Sequence, residues 1–311
     1  MRGILFSVFA NRRFVTTENK HFPTRILLLD IYTVGDTKYA ARMCAAVCEV
    51  CMCCFPRWLP KQKIYVPCGE CVECMRTVSN EWALRICLEC QQHAENCCVT
   101  LTYDEAHKPQ DSLLQPRDMQ LWLKRLRKAV SPVRVRFFGS GEYGDKFWRP
   151  HYHVILFGWR PPDLVPFFVR NGRQFYKSEF VSDTWRNGHI LVGDVDFHTA
   201  FYTAKYLQKA MFKDVAVPPF VRMSNRPGIG AGAVDTVNFD FLVNGKIYFD
   251  GKAFNVPRYF WKLLEKADSD IIDWQEWHDK RALKSKLAHE AVPFTDFEKR
   301  RKRSDDFFKG Y

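Results

Sequence analysis

The amino-acid sequence predicts an α+β fold in which a central antiparallel sheet carries flanking helices. Short runs rich in Val, Ile, Phe and Tyr are mixed along the chain with longer segments of helical periodicity. One of the short runs contains His151 and His153 and is apolar enough to be an interior strand. Strands and helices in this order favour a sheet with helices packed on it.

The composition is that of a globular protein and excludes a disordered one. With 311 residues and 47% hydrophobic content, the chain can bury a substantial core in one or two domains. The formal net charge of +12 indicates an acidic partner, of which nucleic acid is the commonest and an anionic membrane surface the alternative. No stretch approaches 18 uninterrupted apolar residues, so we expect no membrane span.

The first predicted elements are a helix over residues 77–95 and a strand over Cys97–Tyr103. The helix has apolar residues three to four positions apart, which predicts one buried stripe. That stripe consists of Val78, Trp82, Ile86 and Cys90. The strand is predicted to lie centrally in the sheet.

A second predicted helix is strongly basic. Between Arg117 and Arg136 there are seven Arg or Lys residues against one Asp, while an apolar stripe of 3.6-residue spacing runs from Met119 to Val130. Such a charged run is usually a solvated face, and contact with DNA phosphates is the functional alternative. The candidate DNA-binding residues lie mainly off the stripe and are Lys124, Arg125, Arg127 and Lys128.

Two histidines on one predicted strand form a candidate metal site. On a strand, residues two apart project from the same face, so His151 and His153 point the same way with Cα atoms about 7 Å apart. Glu142 stands just upstream, after the strand-like run Val133–Phe138. Two histidines and a carboxylate leave coordination positions open, as a catalytic metal requires. The alternative is a polar pair without a metal.

Two tyrosines on a predicted helix form the second half of this candidate site. After a strand predicted over Gly188–Val195, Tyr202 and Tyr206 are four residues apart and share one helix face, with Cβ atoms about 6 Å apart. A phenol has a pKa of about 10, so it attacks poorly unless a cation or a polarised electrophile is near. Lys205 and a metal-bound phosphate would supply these. The alternative is an aromatic stripe that only packs the helix.

The cysteines are confined to one part of the chain. All twelve lie between Cys44 and Cys98, so disulfides do not hold the region after Val99, and a reducing cytoplasm fits this distribution. Cys68, Cys71 and Cys74 have the spacing of zinc ligands.

A zinc site needs a fourth ligand beyond these three cysteines. Cys51, Cys53 and Cys54 are the candidates, and Cys54 is the one assigned to the set. An iron–sulfur cluster is disfavoured, because Val78 stands where a ferredoxin signature needs its next cysteine. Unmetallated thiols remain the alternative.

The sequence after residue 212 has weaker signals. A hairpin is predicted over Phe239–Asp250 with its turn at Asn244 and Gly245, and residues 258–292 are predicted to be mostly helical. The run Lys299–Arg303 is predicted to be a solvated basic tail, with DNA binding as the alternative.

Seven motifs together resemble a known family, the HUH rolling-circle replication initiators, and within it the initiation proteins of gokushovirus-type single-stranded DNA phages. They occur in the family's order over residues 68–209, about half of the chain. They are Cys68-Gly-Glu-Cys-Val-Glu-Cys74, Glu81-Trp-Ala-Leu-Arg85, Thr100-Leu-Thr-Tyr-Asp-Glu105, Leu123-Lys-Arg-Leu-Arg127, Gly141-Glu-Tyr-Gly144, Arg149-Pro-His-Tyr-His153 and Tyr202-Thr-Ala-Lys-Tyr206. The ordered set is specific, although no single motif is.

The resemblance implies an HUH endonuclease fold and a metal-dependent nickase that joins itself to DNA. Glu142, His151 and His153 would hold Mg²⁺ or Mn²⁺ on the scissile phosphate, and a tyrosine would form a 5′-phosphotyrosine link. The implied partners are single-stranded origin DNA and the host helicase and polymerase, with no membrane, in the cytoplasm of the bacterial host.

The resemblance also suggests how the chain is divided. Residues 1–50 lie outside it and form an N-terminal extension of unassigned role. Residues 51–212 would form the nickase and DNA-joining domain, and residues 213–311 a C-terminal region with the basic tail.

Two other functions are compatible with parts of the sequence. A DNA-binding replication control protein without catalysis would explain the basic charge but would not need the histidine pair with Glu142. A mononuclear iron oxygenase would use two histidines and a carboxylate but would not need paired tyrosines or a basic helix. A covalent protein–DNA adduct is expected only of the nickase.

Overall fold

The fold is described from a computed structural model. It describes residues 53–144, 147–209, 216–235, 245–267, 272–290 and 294–309, and of residues 205–209, 294, 295, 308 and 309 it describes the backbone alone. The predicted extension over residues 1–50 and the predicted turn residue Asn244 lie outside these ranges.

The described part contains eleven strands and seven helices in mixed order. The strands are β1 (Arg57–Leu59), β2 (Ile64–Val66), β3 (Asn96–Tyr103), β4 (Arg136–Tyr143), β5 (Pro150–Phe157), β6 (Val165–Arg170), β7 (Arg173–Lys177), β8 (Gly188–Gly193), β9 (Phe220–Met223), β10 (Lys246–Phe249) and β11 (Lys252–Asn255). The helices are α1 (Val72–Cys90), α2 (Pro116–Ala129), α3 (Glu179–Trp185), α4 (Phe197–Lys209), α5 (Arg258–Lys266), α6 (Trp274–Glu290) and α7 (Phe294–Lys309).

Seven of the strands form one sheet in the order β6-β7-β8-β3-β5-β4-β9, and every neighbouring pair is antiparallel. The predicted α+β class with a central antiparallel sheet is therefore confirmed. The central position of β3 and the interior position of β5 agree with the apolar character of their sequences. This arrangement is consistent with an HUH-type fold.

The two faces of the sheet bury different helices. Because side chains alternate along β5, Tyr152, Val154 and Leu156 face one core with Trp122 of α2 and Trp185 of α3. On the other face, Ile155 and Phe157 pack with Ile86 of α1 and Ala200 of α4. The basic helix and the tyrosine helix therefore lie on opposite faces of the sheet.

The first helix differs from its prediction at its start and in its buried stripe. Helix α1 begins at Val72, five residues before the predicted start, because residues up to Cys74 are already wound into its first turn. Val78 is 38% exposed, although Ile86 is fully buried as predicted. The stripe is shifted by the contacts of α1 with α4 and the C-terminal segments, which the periodicity does not contain.

The region after residue 212 is part of the same structure as the sheet. Strand β9 lies at the edge of the sheet beside β4. Gly141 of β4 is needed there, because a Cβ atom on it would lie 2.5 Å from the ring of Phe220. The described hairpin is β10–β11, and it turns at Asp250 and Gly251 instead of the predicted Asn244 and Gly245. Both turn residues have positive φ, +48° and +69°, as a type I′ turn requires.

The predicted basic tail is a helix. Lys299–Arg303 lies within α7, where Phe297 and Ser304 are buried. The prediction of a solvated tail was wrong, because a local charge run does not show that the residues flanking it pack against distant segments.

Candidate active site

The strands β4 and β5 bring Glu142, His151 and His153 together on one face of the sheet. Glu142 is directly opposite His151 in the strand register, and His153 lies two residues further along β5. Oε1 of Glu142 lies 2.8 Å from Nε2 of His151 and 3.1 Å from Nε2 of His153. The carboxylate is buried, and both imidazoles are partly exposed at the surface of the site.

The far nitrogen of each imidazole is fixed by another group. Nδ1 of His151 donates to the backbone carbonyl of Arg149 at 3.0 Å. Since a carbonyl only accepts, the lone pair of the neutral ring is on Nε2, which faces Glu142. A hydrogen bond of 3.0 Å joins Nδ1 of His153 to Oγ1 of Thr100 on β3. Both rings are thus held with Nε2 directed into the site, as in protein metal sites.

The electrostatics of the three groups suit a divalent cation. Burial raises the pKa of Glu142, but hydrogen bonds from His151 and His153 outweigh it and lower that pKa to about 2. Burial lowers the pKa of His153, opposed by its hydrogen bond to Glu142. At neutral pH, Glu142 is therefore ionised and His153 neutral, which are the protonation states of metal ligands.

The ligand geometry also fits a metal ion. One oxygen and two nitrogens, one from each residue, all lie within 4.8 Å of one another. Three ligands of this kind leave positions for water or a substrate oxygen. Carboxylate and imidazole ligands are compatible with several divalent ions, so the structure supports a metal site without identifying the metal.

Helix α4 places Tyr202 beside the histidines. The helix is capped by Asp196, whose Oδ1 accepts from the backbone N–H of Thr199 at 2.6 Å. The ring of Tyr202 stands edge-on to that of His153, with centroids 5.6 Å apart, and the side chain is 41% exposed. Tyr206 and Lys205 lie in the same helix, and their side chains are outside the described part of the structure.

Two residues of the site have no assigned role in the sequence analysis. Thr100, which orients His153, belongs to the Thr100–Glu105 motif, and the alternation of β3 places it on the face of the histidines. Ser140 is opposite His153 in the register, and its hydroxyl is buried without a hydrogen-bond partner in the described residues. Strand alternation from Glu142 would have identified Ser140.

The structure does not bring the basic helix to this site. Arg125 donates to the carbonyls of Thr184 and Trp185 at 2.7 and 3.0 Å, at the C-terminal end of α3. Arg127 donates twice to the carbonyl of Val135. Both guanidinium groups therefore hold backbone carbonyls. The other two candidates, Lys124 and Lys128, are exposed, and DNA binding by them stays a prediction.

Four cysteine thiols form a second group with metal-site geometry. Its members are Cys53, Cys68, Cys71 and Cys74, with sulfur atoms all within 4.8 Å of one another. The assigned fourth ligand Cys54 is replaced by Cys53, because the Cys54 sulfur turns away and donates to the carbonyl of Arg300 at 3.4 Å. Cys51 lies outside the described residues. Hydrogen bonds from Cys53 and Cys74 hold the pKa of the Cys71 thiol below its usual range.

Within the part of the chain that the structure describes, no helix is both long and apolar enough to cross a membrane. This agrees with the absence of a long apolar run in the sequence.

Comparison with known proteins identifies the family of this chain. A family of replication-associated proteins, described as the ORF2 type, matches residues 96–211, which include Glu142, both histidines and both tyrosines. No solved structure matches the chain.

Three phage proteins are similar over most of the chain. "Replication-associated protein VP4" of Bdellovibrio phage phiMH2K is 32% identical over 254 residues, which cover 78% of this chain and 78% of that protein. "Replication-associated protein ORF4" of Chlamydia phage 1 is 31% identical over 71% of this chain and 59% of its own length. "Replication-associated protein ORF2" of Spiroplasma virus 4 is 31% identical over 75% and 79%. The chain therefore belongs to the family of replication-associated proteins of Microviridae-type phages.

Proposed function

We propose that this protein initiates rolling-circle replication by nicking single-stranded origin DNA with a tyrosine nucleophile and rejoining the ends. The observation that carries the proposal is the position of the Tyr202 ring beside His153, within a group of converging metal ligands. A partly exposed phenol next to such a group is the arrangement that phosphoryl transfer to tyrosine requires. The family's association with phage replication supports DNA as the substrate.

In the proposed reaction, Oη of Tyr202 attacks the scissile phosphorus in line with the 3′-oxygen. The new P–Oη bond forms as the P–O3′ bond breaks, and the proton lost by the phenol is balanced by the proton gained by the leaving 3′-oxygen. The products are a 5′-phosphotyrosine and a free 3′-hydroxyl, which a host polymerase extends.

The protein's own groups prepare this step. Glu142 stays ionised in its buried position, and the Arg149 carbonyl and Thr100 keep both Nε2 atoms directed at the reaction centre. Mg²⁺ or Mn²⁺, held by Glu142, His151 and His153, would supply positive charge to the phosphate as negative charge develops on it. Lys205, one position before Tyr206 on the same helix, is proposed to assist in deprotonating the attacking phenol.

A second tyrosine would allow the cycle to finish. Rolling-circle synthesis regenerates the origin while the first tyrosine still holds the old 5′ end, so a second nucleophile is needed. Tyr206, one helical turn after Tyr202, would attack the regenerated junction. The 3′-hydroxyl released by that cut would then attack the old phosphotyrosine and close the circle.

The proposed partners follow from this cycle. They are single-stranded origin DNA, a host helicase that opens the duplex and a host polymerase, in the cytoplasm of the bacterial host. The nine described cysteines are free thiols, which is compatible with a reducing compartment.

The test is the formation of a covalent protein–DNA adduct on labelled single-stranded origin DNA with Mg²⁺ or Mn²⁺. We expect Tyr202→Phe and Tyr206→Phe each to retain some single-turnover nicking, and the double variant to form no adduct. Tyr248→Phe is the matched control, because this exposed tyrosine lies on β10. Adduct formation by the double variant would contradict the proposal.

A second arm of the test separates catalysis from DNA binding. His151→Ala or His153→Ala should abolish cleavage and leave single-strand binding nearly unchanged, because the basic surface supplies most of the electrostatic affinity. His278→Ala, at an exposed histidine, is the control. Binding without any adduct in the wild-type protein would favour the non-catalytic replication control protein, and substrate oxidation would favour the oxygenase.

A further inference from the structure

The four-cysteine group has the dimensions of a closed metal site. The sulfur atoms of Cys68 and Cys74 lie 3.8 Å apart. Tetrahedral zinc has Zn–S bonds of about 2.3 Å, which place its sulfur ligands about 3.8 Å from one another. This distance is well beyond the roughly 2.05 Å of a disulfide bond. All four cysteines are buried at 9% exposure or less.

The backbone around the group donates hydrogen bonds to the sulfur atoms. The N–H groups of Glu70 and Cys71 both point to Sγ of Cys68 at 3.4 Å, and the N–H of Cys68 points to Sγ of Cys53 at 3.2 Å. Gly69 makes this tight turn possible with φ of +82°. N–H groups aimed at sulfur stabilise thiolates, the ligand form of cysteine.

Helix α1 adds a further favourable field for negative sulfur. Cys71 is its N-cap residue and Cys74 lies in its first turn. The positive end of the helix dipole therefore lies at the group. Two independent features, the N–H donors and the helix terminus, prepare these cysteines for thiolate chemistry.

The C-terminal helix α7 docks on the same group of residues. The Cys54 sulfur donates to the carbonyl of Arg300 at 3.4 Å, and Nε of Arg301 donates to the carbonyl of Cys54 at 3.2 Å. The backbone N–H of Val72, at the start of α1, donates to Oγ of Ser304 at 3.4 Å. Ser304 is 1% exposed, so this contact is part of a buried interface.

We propose that Cys53, Cys68, Cys71 and Cys74 bind one zinc ion, and that the occupied site holds the basic helix α7 in place. Four thiolates and Zn²⁺ together have a net charge of −2, which complements the run Lys299–Arg303. The residues that contact α7, Cys54 and Val72, adjoin the ligands Cys53 and Cys71 in the chain. Loss of the ion would therefore free both contact residues and release the helix. This role is separate from the proposed nicking reaction.

The first experiment measures zinc in protein purified under reducing conditions without a metal-affinity step. The His151→Ala/His153→Ala variant is used as the background, so that zinc at the other candidate metal site is not counted. We expect about one zinc per chain, lost in Cys53→Ser and retained in Cys54→Ser. Cys54→Ser is the matched control because a serine hydroxyl can still donate to the Arg300 carbonyl. Protein without zinc, or zinc lost only in Cys54→Ser, would overturn the proposal, as would iron with its visible absorption bands.

The second experiment tests the coupling to α7 without any mutation of the cysteines. Limited trypsin digestion of the same background protein should spare Lys299–Arg303 while zinc is bound. A chelator should expose these residues to cleavage, and re-addition of zinc should restore protection. Continued protection after measured zinc release would overturn the coupling. Retained zinc in a variant that cannot nick DNA would show that this site is independent of the proposed catalytic one.

Discussion

Glu142 determines the charge of the candidate active site. It is the one carboxylate that lies within hydrogen-bond distance of both His151 and His153 among the described residues. Its buried position would be costly for an ionised group without these partners. The imidazoles offset this cost, and the low pKa of Glu142 follows from their hydrogen bonds.

Replacing this carboxylate by a neutral amide should therefore impair the reaction far more than DNA binding. We expect Glu142→Gln to lower the nicking rate at least about 100-fold, since it removes a metal ligand and its charge. Single-strand affinity should change less than about twofold. Rate assays, a binding titration and thermal unfolding measure the three effects, with Glu265→Gln as an exposed control. A variant that nicks at the wild-type rate would remove Glu142 from the site.

Thr100 acts on the site through His153. Thr100→Val keeps the shape of the side chain but removes its hydrogen bond to Nδ1. We expect the apparent affinity for Mn²⁺ to fall about 10-fold, because an imidazole that is no longer oriented is a poorer ligand. Saturating Mn²⁺ should restore most of the nicking rate, which a simple loss of stability would not allow. Thr77→Val, on helix α1, is the control. An unchanged metal titration would contradict this positioning role.

At the scale of elements, the basic helix α2 shows two uses of positive charge on one helix. Arg125 binds the carbonyl groups that end α3, where unpaired carbonyls need donors. Lys124, its neighbour, is exposed to solvent. Residue type does not separate these two uses, since both are cations off the apolar stripe.

Substitutions in α2 should separate stability from DNA binding. We expect Arg125→Ala to lower the free energy of unfolding by about 1–3 kcal/mol, because it leaves two backbone carbonyls without their charged donor. Lys124→Ala should change that free energy by less than about 0.5 kcal/mol. Urea denaturation measures both. Equal effects of the two substitutions would show that the contacts of Arg125 contribute no net stability.

Sequence periodicity was sufficient for the parts of the structure that depend on neighbours in the chain. The strand bearing His151 and the helix bearing Tyr202 were predicted from residue spacing, and the structure has both. The identity of the fourth cysteine could not be predicted, since Cys53 and Cys54 are adjacent and only the fold decides which sulfur points inward. The same holds for α7, whose docking depends on Cys54, some 250 residues earlier in the chain.

The whole molecule depends on the region after residue 212 to complete its sheet. Strand β9 covers the edge of β4, the strand that carries Glu142. Arg85 of α1 also donates twice to the carbonyl of Ile229, and Glu89 accepts from the N–H of Gly230. The region predicted as the nickase domain, residues 51–212, therefore lacks groups that its own strand and helix bind.

Two truncations of the chain test this dependence. A chain ending at residue 212 leaves the β4 edge unpaired and the buried Arg85 and Glu89 without their partners, so we expect aggregation and the loss of cooperative unfolding. A chain ending at Ala267 keeps β9, the Ile229 loop and the buried Phe260 of α5, and should unfold cooperatively. Size-exclusion chromatography and thermal denaturation distinguish the two. If the shorter chain unfolded at the temperature of the longer one, β9 and the Ile229 loop would contribute nothing to the stability of the sheet that holds the active site.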